Sequence, residues 1–253
     1  MKIFKKIFNY YKRQGLLNTF FKTISTIGLK LGLVAPAPYE YIQMDVENNL
    51  HRYLKKSNQE IKNIVIVGAH YGDEVNKMLN HYSSCIFYLF EPFENYFEYL
   101  NKRFNTFDRV KIFKSALSDK VGTLKFYDTN IEGSQSILKP GEFAERNYNI
   151  KANRELNVDS NILDNVLNNI KIDCLWIDVQ GAELQVLKGA KESLLRTNSI
   201  FIEVSIKESL YDEGVIMPEL NKFLEEYDFT LVGLGTDYRN LTGNAFYIKI
   251  KGD

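Results

Sequence analysis

From Ile61 onward, short apolar runs alternate with segments whose apolar positions recur every three or four residues. Ile61 to Val67 reads as a strand, and Glu74 to Asn80 opens the helix after it. Cys85 to Phe90 is a second strand, a helix follows from about Asn95 to Phe104, and Val110 to Lys114 is a third strand, with a hairpin at Thr123 to Asp128. Thr129 to Ser160 is polar and irregular, too long for an ordinary α/β connection; such loops usually cover a site. Ile162 to Leu167 then reads as a short helix and Cys174 to Val179 as a buried strand. Ala182 to Arg196 is a helix with Leu184, Leu187 and Leu194 on one face, and Ile200 to Val204 another strand. Met217 to Tyr227 is the last helix, before a closing strand pair at Thr230 to Gly233 and Asn244 to Ile250. The alternation predicts an α/β fold: a mostly parallel sheet with helices on both faces and an antiparallel C-terminal strand. Ligands of such sheets bind outside the carboxyl ends of the strands.

Residues 2–34 follow a different pattern. Ile3, Phe4, Ile7, Phe8, Tyr11, Leu16, Leu17, Phe20, Phe21, Ile24 and Ile27 stand at helical spacing among lysines, broken near Gly15. Ala35-Pro36-Ala37-Pro38 then punctuates the chain. This divides it into a basic amphipathic arm, 1–38, and a main body, 39–253. The arm either packs on protein, including a second copy in a homodimer, or lies on anionic lipid.

Charge sharpens that contrast. The 253 residues carry no net charge, yet residues 1–39 hold Lys2, Lys5, Lys6, Lys12, Arg13, Lys22 and Lys30 and no acid. The remainder therefore carries seven net negative charges. An acidic body argues against a nucleic-acid partner, which needs a broad cationic surface. With 45% hydrophobic residues the chain can bury an ordinary core. No apolar run is long enough to span a bilayer and no cleavable leader is evident, so the expected location is cytoplasmic, peripheral to the membrane if the arm lies on lipid. Cys85 and Cys174 sit in apolar runs and read as buried thiols.

Two stretches carry candidate chemistry. The first strand runs into Val67-Gly68-Ala69-His70-Tyr71-Gly72, where Gly68 and Gly72 permit a tight turn and close ligand approach. About twenty residues on, the second strand ends in Glu91-Pro92, where an acid accepts hydrogen bonds from ribose hydroxyls. A nicotinamide dinucleotide fits the same marks, but the turn lacks the central glycine that admits a pyrophosphate. Further along, Asp178 and Glu203 end neighbouring strands. They could share a divalent ion, Mg2+ or Mn2+, or divide base and orienting roles. Glu183, in a first helical turn, reads more simply as a favourably placed acid.

The block from Ile172 to Ala190, Ile-Asp-Cys-Leu-Trp-Ile-Asp-Val-Gln-Gly-Ala-Glu-Leu-Gln-Val-Leu-Lys-Gly-Ala, resembles the signature of the FkbM family of S-adenosylmethionine-dependent methyltransferases. Val67 to Gly72, Phe90-Glu91-Pro92, Ser115 to Asp119, Leu163-Asp164 and Phe201 to Val204 follow in the family's order, over roughly residues 61–250. The resemblance implies the class I methyltransferase fold and O-methylation of a hydroxyl on a sugar or glycan. The alternatives are a lipid-linked or small-molecule acceptor, or an inactive glycan-binding domain. It also implies that Gly68, Ala69, His70 and Gly72 form the turn around the methionine part of the cofactor. Glu91, beside Pro92, would hold the ribose, with Ala116 and Leu117 next to the adenine. Asp178 and Glu203 would be the catalytic pair, and the 129–160 stretch, with Ser134, Gln135 and Ser136, the acceptor lid. Two places depart from the family pattern: Ile66 and His70 flank the turn where the family usually has Asp and Asn, and Gln180 stands for the usual glutamate.

Overall fold

A computed structural model describes Leu54, residues 60–237, Arg239 and residues 241–249. The arm 1–38, with its membrane and dimer alternatives, and the charged segment 45–60 fall outside those residues except for Leu54 and Glu60.

The main sheet has seven strands in the order β3-β2-β1-β7-β8-β10-β9. They are β1 Asn63–Val67, β2 Ile86–Phe90, β3 Val110–Phe113, β7 Cys174–Ile177, β8 Ser199–Ser205, β9 Phe229–Thr236 and β10 Thr242–Lys249. β10 alone runs against its neighbours β8 and β9; the other pairings are parallel. The predicted sheet is thus observed. Its period-two geometry explains the unbroken apolar runs. Val65, Val67, Leu175, Ile177, Ile200 and Ile202 pack on one face, and Ile64, Ile66, Cys174, Trp176 and Phe201 on the other. Both cysteines are buried free thiols.

The connecting helices are α1 Asp73–Leu79, α2 Glu94–Phe104, α3 Glu142–Tyr148, α4 Leu163–Val166, α5 Glu183–Lys188, α6 Lys191–Leu195 and α7 Met217–Glu225. In α2, Tyr96, Leu100 and Phe104 are buried at four-residue intervals, the spacing of one helical face. The predicted 182–196 helix is in fact two. Gly189 breaks it, because its α-carbon lies against another backbone: a Cβ there would stand 1.9 Å from the Ser118 carbonyl oxygen.

Between β3 and β7 the chain builds a second sheet, β4-β6-β5, from β4 Ala116–Leu117, β5 Gly122–Thr129 and β6 Ala152–Asn161. This corrects two sequence expectations. Thr123 to Asp128 is not a hairpin but one strand, paired antiparallel with residues 154–159. Half of the supposed 129–160 loop is ordered as α3 and β6, leaving a strap of about a dozen residues from Asn130 to Gly141. β6 escaped notice because its side chains are largely polar and exposed. Ladder hydrogen bonds hold it, and those leave no trace in hydrophobic patterning.

Candidate active site

The carboxyl ends of β1, β2 and β7 converge on a cleft of about 240 Å3, near the lower limit of small-molecule sites. The turn after β1 forms its floor. Gly68 adopts φ +80°, and its amide and that of Ala69 donate to the Phe90 carbonyl at 3.0 and 3.1 Å. A Cβ on Gly68 would lie 1.8 Å from the Asp178 carbonyl oxygen, so only glycine lets β1 and β7 close here. Gly72, at φ +71°, serves packing instead, since a Cβ there would strike Phe104 and Leu100 of α2. Ala69 is buried beneath the turn. Neither Ala69 nor Gly72 lines the cleft.

Glu91 is 4% exposed. Its Oε2 accepts from the His70 amide at 2.8 Å and its Oε1 from the Phe93 amide at 2.9 Å. Burial pushes its pKa up to about 7, against the pull of those two donors. Each oxygen keeps a further lone pair for a ligand hydroxyl. His70, in the left-handed region at φ +47°, packs its ring on Tyr71 and Tyr96. Its Nε2 is buried without a hydrogen-bond partner. Burial holds its pKa below the ordinary value, against the nearby carboxylates of Glu132 and Asp178. Pro92, Ala116 and Leu117 complete this side of the cleft.

Asp178 follows β7, its amide donating to the Val67 carbonyl at 3.0 Å. Gln180, at φ +58°, sends its Nε2 to Asp178 Oδ1 at 2.7 Å and Glu203 Oε2 at 2.6 Å. Asp178 also shares a side-chain hydrogen bond with Glu203. Glu203, on β8, stands behind Gln180 and does not line the cleft. Burial first, then the Asp178 charge, raises its pKa well above the carboxylate range. A divalent ion does not fit this donor set: the space between the carboxylates is spanned by an amide N–H pair, which a cation would repel. No group of three metal-ligating side chains occurs among the described residues. Glu183 is buried, accepts from the Val179 and Gly181 amides at 3.3 and 3.0 Å, and thereby fixes the turn.

The strap closes the other side. Gln135 lines the cleft, its Oε1 accepting from the Gly133 amide and the Tyr96 hydroxyl. Ser136 also reaches the cleft, but its hydroxyl donates to the Val179 carbonyl at 3.2 Å and accepts from the Leu138 amide. Ser134 lies outside, its hydroxyl engaged with Thr129 and Ile131. Sequence reasoning missed Tyr96 and Tyr211. The Tyr211 hydroxyl lies 2.7 Å from the Ser134 carbonyl and 3.0 Å from Gln180 Oε1. No local pattern marks Tyr211; only tertiary contact does.

S-adenosylmethionine fits these residues. The Gly68 turn leaves a floor without side chains, Glu91 has lone pairs for ribose hydroxyls, and the orphaned His70 Nε2 awaits a polar partner. The strand order, with one reversed strand near the edge, together with this turn and acid defines a Rossmann-like class I methyltransferase that uses S-adenosylmethionine. The family profile described as Methyltransferase FkbM domain matches residues 67–231, and the chain belongs to that family.

One relative is the 2-O-methyltransferase NoeI of Sinorhizobium fredii, 28% identical over 159 residues, which are 59% of this chain. The match spans 65% of that relative's length. Among solved structures, an rRNA methylase from Streptococcus thermophilus is 10% identical with a TM-score of 0.47, covering 80% of this chain and 95% of the other. TrmK of M. capricolum, solved with S-adenosyl-homocysteine, is 9% identical with a TM-score of 0.47, covering 80% and 68%. A SAM-dependent methyltransferase from Aquifex aeolicus is 13% identical with a TM-score of 0.42, covering 82% and 95%. These three likenesses are of fold alone.

Three expectations are corrected. The glycan-modification label does not follow from the fold, which is the general Rossmann-like class I arrangement that the resemblance implied and carries no mark of glycan modification. The family match ends at residue 231, short of the expected 250. The exclusion of a nucleic-acid partner also falls, since an acidic average over the body does not exclude a local RNA contact. Among the described residues no helix is long and apolar enough to cross a membrane.

Proposed function

We propose that the domain methylates a hydroxyl of a sugar, with Asp178 as the base. The observation that carries this is that Asp178 lines the same cleft as the Gly68 turn and Glu91. The oxygen chemistry is supported by likeness to a relative named as a 2-O-methyltransferase. That locant names one oxygen on a numbered skeleton, which a sugar hydroxyl satisfies.

Bound S-adenosylmethionine supplies an electrophilic methyl group on a sulfonium centre. Everything else falls to the chain. Glu91 and the Gly68 turn hold the cofactor's polar groups, and Gln135 offers an amide to the acceptor. The Asp178 carboxylate takes the acceptor hydroxyl's proton, while Gln180 holds its Oδ1 still. Alignment of this kind supplies much of the rate in a displacement reaction.

The test is transfer of a labelled methyl group to a panel of mono- and oligosaccharides. The wild type should label a sugar, and Asp178→Asn should slow transfer by roughly 10²–10⁴-fold while cofactor affinity stays within about twofold. Full activity of the folded Asp178→Asn protein would remove the base assignment. Labelling confined to lipid-linked or other small-molecule hydroxyls would remove the sugar assignment.

A further inference from the structure

The Asp178–Gln180 contact continues beyond the cleft. Gln180 has two amide protons, and both are committed: one to Asp178 Oδ1 and one to Glu203 Oε2. Those carboxylates fix the amide's orientation, since the reverse would set its carbonyl oxygen against two acids. Its Oε1 therefore faces the Tyr211 hydroxyl. That hydroxyl also reaches the Ser134 carbonyl in the strap. Tyr211 is 3% exposed and packed in a small core with Leu138, Ala144 and Leu210, so its ring cannot readily swing away. Gly181, at φ +97°, allows this approach: a Cβ there would lie 2.8 Å from the ring.

We propose that Tyr211 and Gln180 are positioning residues that couple the seating of the acceptor strap to the orientation of the Asp178 carboxylate. With the strap in place, the single proton of the Tyr211 hydroxyl is shared between the Ser134 carbonyl and Gln180 Oε1, which fixes the hydroxyl between them, and Gln180 holds Asp178 Oδ1. Asp178 itself lines the cleft. When the strap lifts, the hydroxyl loses its strap acceptor and the amide its fixed neighbour, so the base loses its aim. The glutamine is essential to the device, because a glutamate could not donate to two carboxylates. The role of Asp178 as base rests on the function proposed above; the coupling itself does not.

The test is Tyr211→Phe, which keeps the packed ring and removes only the hydroxyl. Tyr211 does not touch Asp178, so a local packing role would leave Asp178 undisturbed. The side-chain carboxyl carbon resonance of Asp178 is assigned by its loss in Asp178→Asn and read in the free protein at one pH. It should move in Tyr211→Phe. Turnover should fall about tenfold, the size of one lost hydrogen bond, with acceptor KM within about twofold. Added to Asp178→Asn, the change should cost nothing further, as residues acting through one group do. An unmoved Asp178 resonance in the folded variant overturns the coupling. So does a turnover loss that is fully additive with Asp178→Asn. If the wild type methylates no sugar, the proposed function fails, while the resonance, read without acceptor, still decides the coupling.

Discussion

Glu183 shows how an acid beside the candidate chemistry serves the turn's architecture. It lies two residues past Gly181 in the most distinctive stretch of the sequence, and it is an acid in a methyltransferase site. In the structure its carboxylate gathers the Val179 and Gly181 amides and is 4% exposed. Burial raises its pKa from 4.5 to about 7. The folded chain therefore holds this proton more tightly than the unfolded chain does. That contribution to stability is present below pH 4.5, falls as pH rises towards 7, and is lost above it. Glu183→Gln keeps an acceptor for the two amides but cannot ionise. Urea unfolding at pH 5 and pH 8 should show this component, on the order of 1–3 kcal/mol, in the wild type and its reduction in Glu183→Gln. An identical pH dependence in both proteins would mean that Glu183 is charged in the fold without penalty.

At the scale of elements, legibility followed burial. Strands β1, β2, β7 and β8 are covered on both faces, so each writes itself as an apolar run, and the glycine turn and the acid at the end of β2 could be placed from them. The second sheet is half exposed, and its longest strand, β6, reads as loop. Its attachment to the main body depends on backbone approach, as the contact between Gly189 and the Ser118 carbonyl shows. Gly189→Ala should force that contact apart and destabilise the fold by about 3 kcal/mol, in the range of overpacked sites. Its φ is negative, so alanine strains no backbone angle there, and the cost comes from crowding alone. A denaturant midpoint equal to wild type would show that α5 and α6 can shift freely against β4.

For the molecule as a whole, the cleft is where β1, β2, β7 and the second sheet meet, so a ligand there should brace the fold. S-adenosyl-homocysteine at a hundred times its Kd adds about 2.7 kcal/mol, a rise in Tm of roughly 5–10 °C for a domain of this size. Glu91→Ala removes a charge-assisted acceptor and should weaken binding about tenfold or more, so the same ligand concentration should give a clearly smaller rise. An equal rise in a folded Glu91→Ala protein would place the cofactor away from the end of β2.

The sequence by itself determined the layered α/β class, the order of its main strands and the position of Asp178 and Glu91 at strand ends. Those features follow from burial and from local turn geometry, both of which are written in consecutive residues. Tertiary structure alone decided which of the named residues share the cleft. Gly68, His70, Glu91, Gln135 and Asp178 meet there, whereas Glu203, Ser134, Ala69 and Gly72 stand behind it or beneath it. It alone revealed Tyr211, which lies 31 positions beyond Gln180 and touches it through the fold. Proximity across such a gap depends on how β7, β8 and the strap pack together, and hydrophobic periodicity carries no information about that.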